Sequence, residues 1–237
     1  MNIVIFEESD FIGESRILLG GRRALHIVKV LKSQVGDRLR VGLLDGALGS
    51  GEVVGISGSR VELEVVLDHF SPSPLAVRLL LALPRPKVLK RVLAAAVTMG
   101  VKEIFLFNAW RVEKSYWQTP WLQSEKLREV VLLALEQAGD TRLPEIFLKN
   151  RFRPFVEDEV PLLVQDRDAW LLHPQAESSL RQVAGQAPAL VAVGPEGGFI
   201  PFEVEMLRAS GLKVASLGPR ILRVEQAVPA ILGNFLL

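Results

Sequence analysis

The repeat of apolar positions changes near residue 70. Before it, Val4–Phe6, Arg38–Leu44, Gly51–Ile56 and Arg60–Leu67 alternate or run apolar, and Gly-Asp, Asp-Gly and Ser-Gly-Ser turns separate the later runs. One stretch at helical spacing, about Arg22 to Lys32, interrupts these strands. Several short strands with one helix predict a small β-barrel, a shape often used to grip RNA. Prolines 72 and 74 break both helix and ladder, so His69–Leu75 reads as a linker.

Beyond the linker, strand and helix alternate. Strands are expected at Val77–Leu83, Glu103–Phe107, Glu145–Leu148, Ala169–Leu172, Leu190–Val193 and Val214–Leu217. Helices are expected at about Pro86–Gly100, Pro120–Ala138, Ser178–Ala184, Pro201–Ser210 and Val224–Leu237. Such alternation implies an α/β domain with a mostly parallel sheet and helices on both faces. The expected organisation is therefore two domains, residues 1–70 and 75–237.

Composition narrows the chemistry. The 237 residues suffice for a large core without staples, and the absence of cysteine excludes disulfides, thiolate nucleophiles and sulfur-based zinc sites. His26, His69 and His173 lack metal-site spacing, so no metal is expected. The start MNIVIFEESDF lacks a signal-peptide pattern, and no apolar run is long enough to span a membrane, so a soluble cytoplasmic protein is expected. Net charge is only +1, yet six basic residues face one acidic residue between Ile17 and Arg40. Between Arg78 and Lys149 twelve face seven. Local basic patches suit phosphate contact, although solvated faces produce them too.

Two segments carry the candidate chemistry. In Leu190-Val-Ala-Val-Gly-Pro-Glu-Gly-Gly-Phe199 an apolar strand ends in a turn with three glycines and enters a helix near Pro201. Glycine lets backbone approach a ligand closely, and open α/β sheets place ligands at the C-terminal ends of their strands. Glu203 falls in the first helical turn, where the dipole favours a carboxylate. The string is neither the dinucleotide fingerprint nor a Walker A loop. In Leu217-Gly-Pro-Arg-Ile-Leu-Arg-Val-Glu-Gln-Ala227 a Gly-Pro turn brings Arg220, Arg223 and Glu225 together at a helix start. A purely structural arginine–glutamate pair would use the same residues.

These two segments resemble the signatures of the RsmE family, SPOUT-superfamily methyltransferases that modify N3 of a uridine in small-subunit ribosomal RNA. The resemblance extends to His26-Ile-Val-Lys-Val-Leu-Lys32 with Gly36-Asp37, to Leu135-Glu-Gln-Ala-Gly139 with Pro144-Glu-Ile146, and to Leu172-His-Pro174. It thus spans nearly the whole chain in order. It implies a trefoil-knotted catalytic domain, an N-terminal PUA-like RNA-binding barrel, a homodimer, and S-adenosylmethionine as cofactor. The cofactor would lie against Leu172, His173, Gly194, Pro195, Glu196, Gly197, Gly198, Leu217, Gly218, Ile221, Leu222 and Ala227. Arg220 and Arg223 would stabilise a uridinate, with Glu225 as base or as arginine orienter. Arg22, Arg23, His26, Lys29 and Lys32 would contact RNA.

The chain also departs from the family pattern. Gln226 stands where threonine is usual, Ile200 where a Ser or Thr cap is usual, and Ala95, Thr98 and Asp140 replace charged residues. Lys29 and Lys32 replace arginines, which keeps charge and loses bidentate geometry. Alternatives are therefore a SPOUT methyltransferase for another RNA or a ribose 2′-O position, or a non-catalytic RNA-binding ribosome-assembly factor. Lys87, Lys90 and Arg91 make one basic helical face that suits either a phosphate track or solvent. Residues 108–121 hold three of the four tryptophans and the only tyrosine. Those aromatics suit either base stacking or packing within the loop.

Overall fold

The computed structural model describes residues 2–183 and 188–236. The chain divides into two compact units: Met1–Ser73 with Leu132–Leu143, and Pro74–Val131 with Pro144–Leu237.

The first unit is a five-stranded sheet. It comprises β1 (Val4–Phe6), β2 (Arg16–Leu19), β3 (Arg38–Leu43), β4 (Leu48–Ser57) and β5 (Arg60–His69), in the order β1-β3-β4-β5-β2. Only β1 and β3 pair in parallel. Alternation along β5 sends Val61, Leu63 and Val65 inward against Phe6, Ile17, Leu19 and Val53. Ala24 and Ile27 close this core from the helix α1 (Gly21–Leu25) and the π-helical turn His26–Val30 that continues it. Residues 132–143 belong here as well. Thr141 donates to the Gly46 carbonyl at 2.6 Å, and Ser71 Oγ donates to Asp140 at 2.7 Å. The strand β2 was not anticipated.

The second unit contains a six-stranded, all-parallel sheet. Its strands are β6 (Leu75–Ala82), β7 (Val101–Phe107), β8 (Glu145–Lys149), β9 (Asp168–Leu172), β10 (Ala189–Val193) and β11 (Lys213–Ala215). The order is β11-β9-β10-β6-β7-β8. β10 is buried at every position, as a central strand covered on both faces must be. The helix α2 (Pro86–Thr98) buries Leu89, Val92, Leu93, Ala96 and Val97 on one stripe, the leucines and valines each worth roughly 1.5–3 kcal/mol. It packs against α8 (Val224–Leu232). Between them in sequence lie α3 (Ser124–Ala138), α4 (Phe152–Pro154), α5 (Val160–Leu163), α6 (Leu180–Val183) and α7 (Pro201–Ala209).

Several boundaries shift from the sequence expectation. α3 begins at Ser124 because residues 114–122 form two 3-10 turns. β11 stops at Ala215, and Leu217 already belongs to the following corner. Residues 152–163 are helical, a segment concealed by Pro154 and Pro161. The expected helix ends at Ala184 and Leu237 lie outside the described residues.

Within the first unit, Arg22 donates both terminal nitrogens to Glu136, at 2.9 and 2.8 Å. The Glu136 side chain is 2% exposed. Removing the guanidinium strands a buried carboxylate, at a cost of about 3–5 kcal/mol that the half-exposed arginine reduces to about 2–3. Arg22→Ala is accordingly expected to lower the urea midpoint by that equivalent; an unchanged midpoint would show that Glu136 does not need it.

Candidate active site

Parallel register sets the site. Val193 at the end of β10 lies opposite Leu172 at the end of β9 and Leu81 of β6, while Leu172 lies opposite Ala215 at the end of β11. Three strands therefore release their chains at one level, and the corners at 173–175, 194–200 and 216–223 converge. Together they line a cleft of about 1160 Å3. Every residue assigned from the resemblance to catalysis or to the cofactor lines it, from Leu172 to Ala227.

The glycines shape its floor. Gly198 turns with φ +71° and Gly218 with φ +101°, values that side chains resist, and the space beside each Cα is open. Gly198 N–H closes a tight turn on the Pro195 carbonyl at 2.8 Å. A Cβ on Gly194 would meet the Phe199 ring at 3.2 Å, and one on Gly197 would meet Arg111 Cδ at 2.9 Å. Backbone thus lies bare at two corners of one cleft. That surface suits a ligand held by main-chain groups and an apolar slot.

The chain also holds these corners from outside. Glu203, in the first turn of α7, is 2% exposed. Its carboxylate accepts the Ile200 N–H at 3.0 Å and the Trp110 N–H at 2.7 Å, tying the glycine corner to the loop after β7. Only this half of a capping box exists, because Ile200 has no side-chain acceptor. The Arg111 guanidinium donates to the Gly197 carbonyl, and Glu196 accepts the Arg85 N–H at 3.0 Å. Nearby, the Tyr116 phenol, pushed up by burial and by Glu113, donates to Glu113 at 2.9 Å. At the third corner, Gln226 accepts the Arg223 N–H at 3.4 Å, a long cap for α8. Threonine at that position would not reach back in this way.

Arg220 and Arg223 are exposed, Glu225 is half-buried, and all three face the cleft. None of them is ion-paired among the described residues, so the arginines do not serve a structural salt bridge. Arg85 and Arg111 join them along the wall. Those two were not anticipated: they follow β6 and β7, 111 and 86 residues before the glycine-corner residues they bond, and no spacing connects them.

A model of the RNA methyltransferase domain matches residues 71–236, and one of the RNA methyltransferase PUA domain matches residues 19–66. The chain belongs to the RNA methyltransferase domain family. It is 28% identical over 235 residues to the ribosomal RNA small subunit methyltransferase E of Treponema pallidum, covering 97% of this chain and 88% of that one. To the protein of the same name from Synechocystis it is 27% identical, covering 90% and 70%. A methyltransferase of Legionella pneumophila solved with bound SAM shares the fold with a TM-score of 0.81 at 22% identity, covering 98% and 95%. The Neisseria gonorrhoeae small subunit methyltransferase E bound to S-adenosyl methionine gives 0.77 at 20%, with the same coverage. The RsmE resemblance read from the motifs is thus borne out by relatives of that name along the whole chain.

Among the residues expected to touch RNA, two have other duties. Arg22 is engaged by Glu136, and Arg23 donates to Asp10 at 2.5 and 2.8 Å. Lys29 and Lys32 are exposed, and Lys32 sits at φ +56° just past the π-helical turn. His26 is half-buried, with its Nε2 enclosed and lacking a hydrogen-bond partner. Exposed Leu25, Val30, Leu31 and Val35 flank these lysines. No group of three or more His, Asp or Glu able to hold a metal occurs among the described residues, and no helix among them is long and apolar enough to cross a membrane.

Glu203→Ala would leave two part-buried N–H groups without their acceptor, costing about 1–3 kcal/mol. Amide exchange at Trp110 and Ile200 should quicken together in this variant. Protection unchanged at both would show that the carboxylate does not couple the two loops.

Proposed function

We propose that this chain transfers a methyl group from S-adenosylmethionine to N3 of a uridine in small-subunit ribosomal RNA. The observation that carries the reading is one cleft joining two bare glycine corners to two unpaired arginines. Its volume exceeds the about 300–1000 Å3 of an ordinary small-molecule site, which leaves room for a nucleotide beside the cofactor.

The cofactor supplies an electrophilic methyl on a sulfonium. The open backbone at Gly198 and Gly218 fits it, with Leu172, Leu217 and Leu222 as the apolar slot and the amides of 194–198 and 217–222 as its polar partners. Uridine N3 carries a proton at neutral pH and must lose it before it can act as a nucleophile. Arg220 and Arg223 stabilise the negative charge that then spreads to the uracil oxygens. Glu225, within the same wall, takes the proton or orients an arginine. The walls hold both reactants at reacting distance, which is the larger part of the task for a transfer in line.

The reading includes a knotted catalytic domain, a homodimer and cytoplasmic residence, as the resemblance implies. Ile221 is 84% exposed beside the cleft, apolar surface that a second copy or a bound substrate would cover. Of the first-unit residues expected to contact RNA, Lys29 and Lys32 are the cations that remain for phosphate once Arg22 and Arg23 are engaged.

Transfer of tritium from labelled cofactor to unmodified small-subunit RNA, followed by mapping of the product base, tests the reading. Label at N3 of one uridine is expected. Cofactor binding without transfer to any RNA would favour an assembly factor. Arg223→Ala should lower transfer by about 100-fold or more while leaving cofactor affinity nearly intact. Unchanged turnover would remove Arg223 from the chemistry.

A further inference from the structure

The aromatic loop after β7 holds a residue that the cleft's chemistry leaves unused. Trp117 donates its indole N–H to Asn108 at 2.9 Å, and Lys90 lies over the Trp121 ring at 4.9 Å. Trp110 differs from both. It is 79% exposed, and its indole makes no hydrogen bond or ring contact among the described residues.

That exposure is held in place. The Trp110 N–H is bonded to the buried Glu203, and its neighbour Arg111 is bonded to the Gly197 carbonyl. A turn from the Ala109 carbonyl to the Val112 N–H, at 3.0 Å, brackets it, with both of those residues buried. Water is a poor environment for an indole, and the pinned backbone keeps its Cα at the surface. Arg111, which lines the cleft, follows directly in the chain, so the exposed indole is carried by the residue next to one that lines the cleft. An exposed flat aromatic face on a segment that also sends an arginine into the cleft matches an unpaired nucleobase on a phosphate backbone. An apolar protein surface would make no use of that arginine.

We infer that Trp110 is a stacking platform for an unpaired base next to the nucleotide that enters the cleft. The inference rests on the reading of the cleft as an RNA-modifying site. Trp110 here is a binding residue: it sets how well the RNA is held and takes no part in the methyl transfer itself.

The test uses the full-length chain with saturating S-adenosylmethionine and two variants, Trp110→Ala and Trp110→Phe. Binding of a single-stranded ten-residue oligouridylate is followed by anisotropy, and methyl transfer to small-subunit RNA is followed as KM and kcat. Trp110→Ala should weaken oligouridylate binding and raise KM by about 10-fold or more, with kcat and cofactor affinity unchanged. Trp110→Phe should recover most of the loss. Equal binding and KM in Trp110→Ala and the parent would overturn the inference while leaving the methyltransferase reading intact. So would Trp110→Phe behaving as the alanine variant, or a change of sedimentation in Trp110→Ala that places the indole in a protein–protein contact. A parent chain that binds cofactor but neither binds nor methylates RNA would overturn the reading and the inference together.

Discussion

Everything at the site depends on three parallel strands ending level. Hydrogen-bonded register sets Leu172, Val193 and Ala215 side by side, so the residues that follow leave the sheet on one edge. A shift of one residue in β10 would turn each of its side chains to the opposite face and carry the glycine corner out of line with the arginine corner. The uniform burial of β10 makes such a slip costly in packing. The cleft is thus a consequence of the core, formed where fully buried strands must hand their chains to solvent.

On this base the chain adds ties that keep bare backbone in position. Glycine corners are mobile unless something holds them, since the freedom that admits a ligand also admits other conformations. Glu203 and Arg111 grip the glycine corner by its main-chain groups, and Glu196 of that corner holds the Arg85 N–H. The arginines facing the cleft are held differently. Arg220 and Arg223 lack carboxylate partners among the described residues, so their charge remains available to a substrate, whereas Arg22 and Arg23 in the first unit have spent theirs on Glu136 and Asp10. The same residue type thus does two kinds of work, and the pairing separates them.

That distinction could not be read along the chain. Basic residues at helical spacing look alike whether they face solvent, RNA or a buried glutamate 114 positions away. The strand–helix alternation and the two glycine turns were legible because hydrophobic period and turn chemistry are local properties. What escaped was set by distant partners. Residues 120–138 read as one uninterrupted amphipathic helix, and no shift in composition marks the point near Leu132 where the chain passes to the first unit. Arg85 and Arg111 sit in loops with no motif, and only the sheet order brings them opposite the signature corners. Gln226, a departure from the family pattern, proves to reach back to the Arg223 N–H as a helix cap.

The central claim is that two corners of one parallel sheet form a single cradle for a sulfonium donor. A crystal structure of the chain grown with S-adenosylmethionine tests it most directly. The account predicts the donor between residues 194–198 and 217–222, bonded by main-chain amides, with its methyl toward Arg220 and Arg223. Donor density at any other place, or none at a saturating concentration, would contradict it.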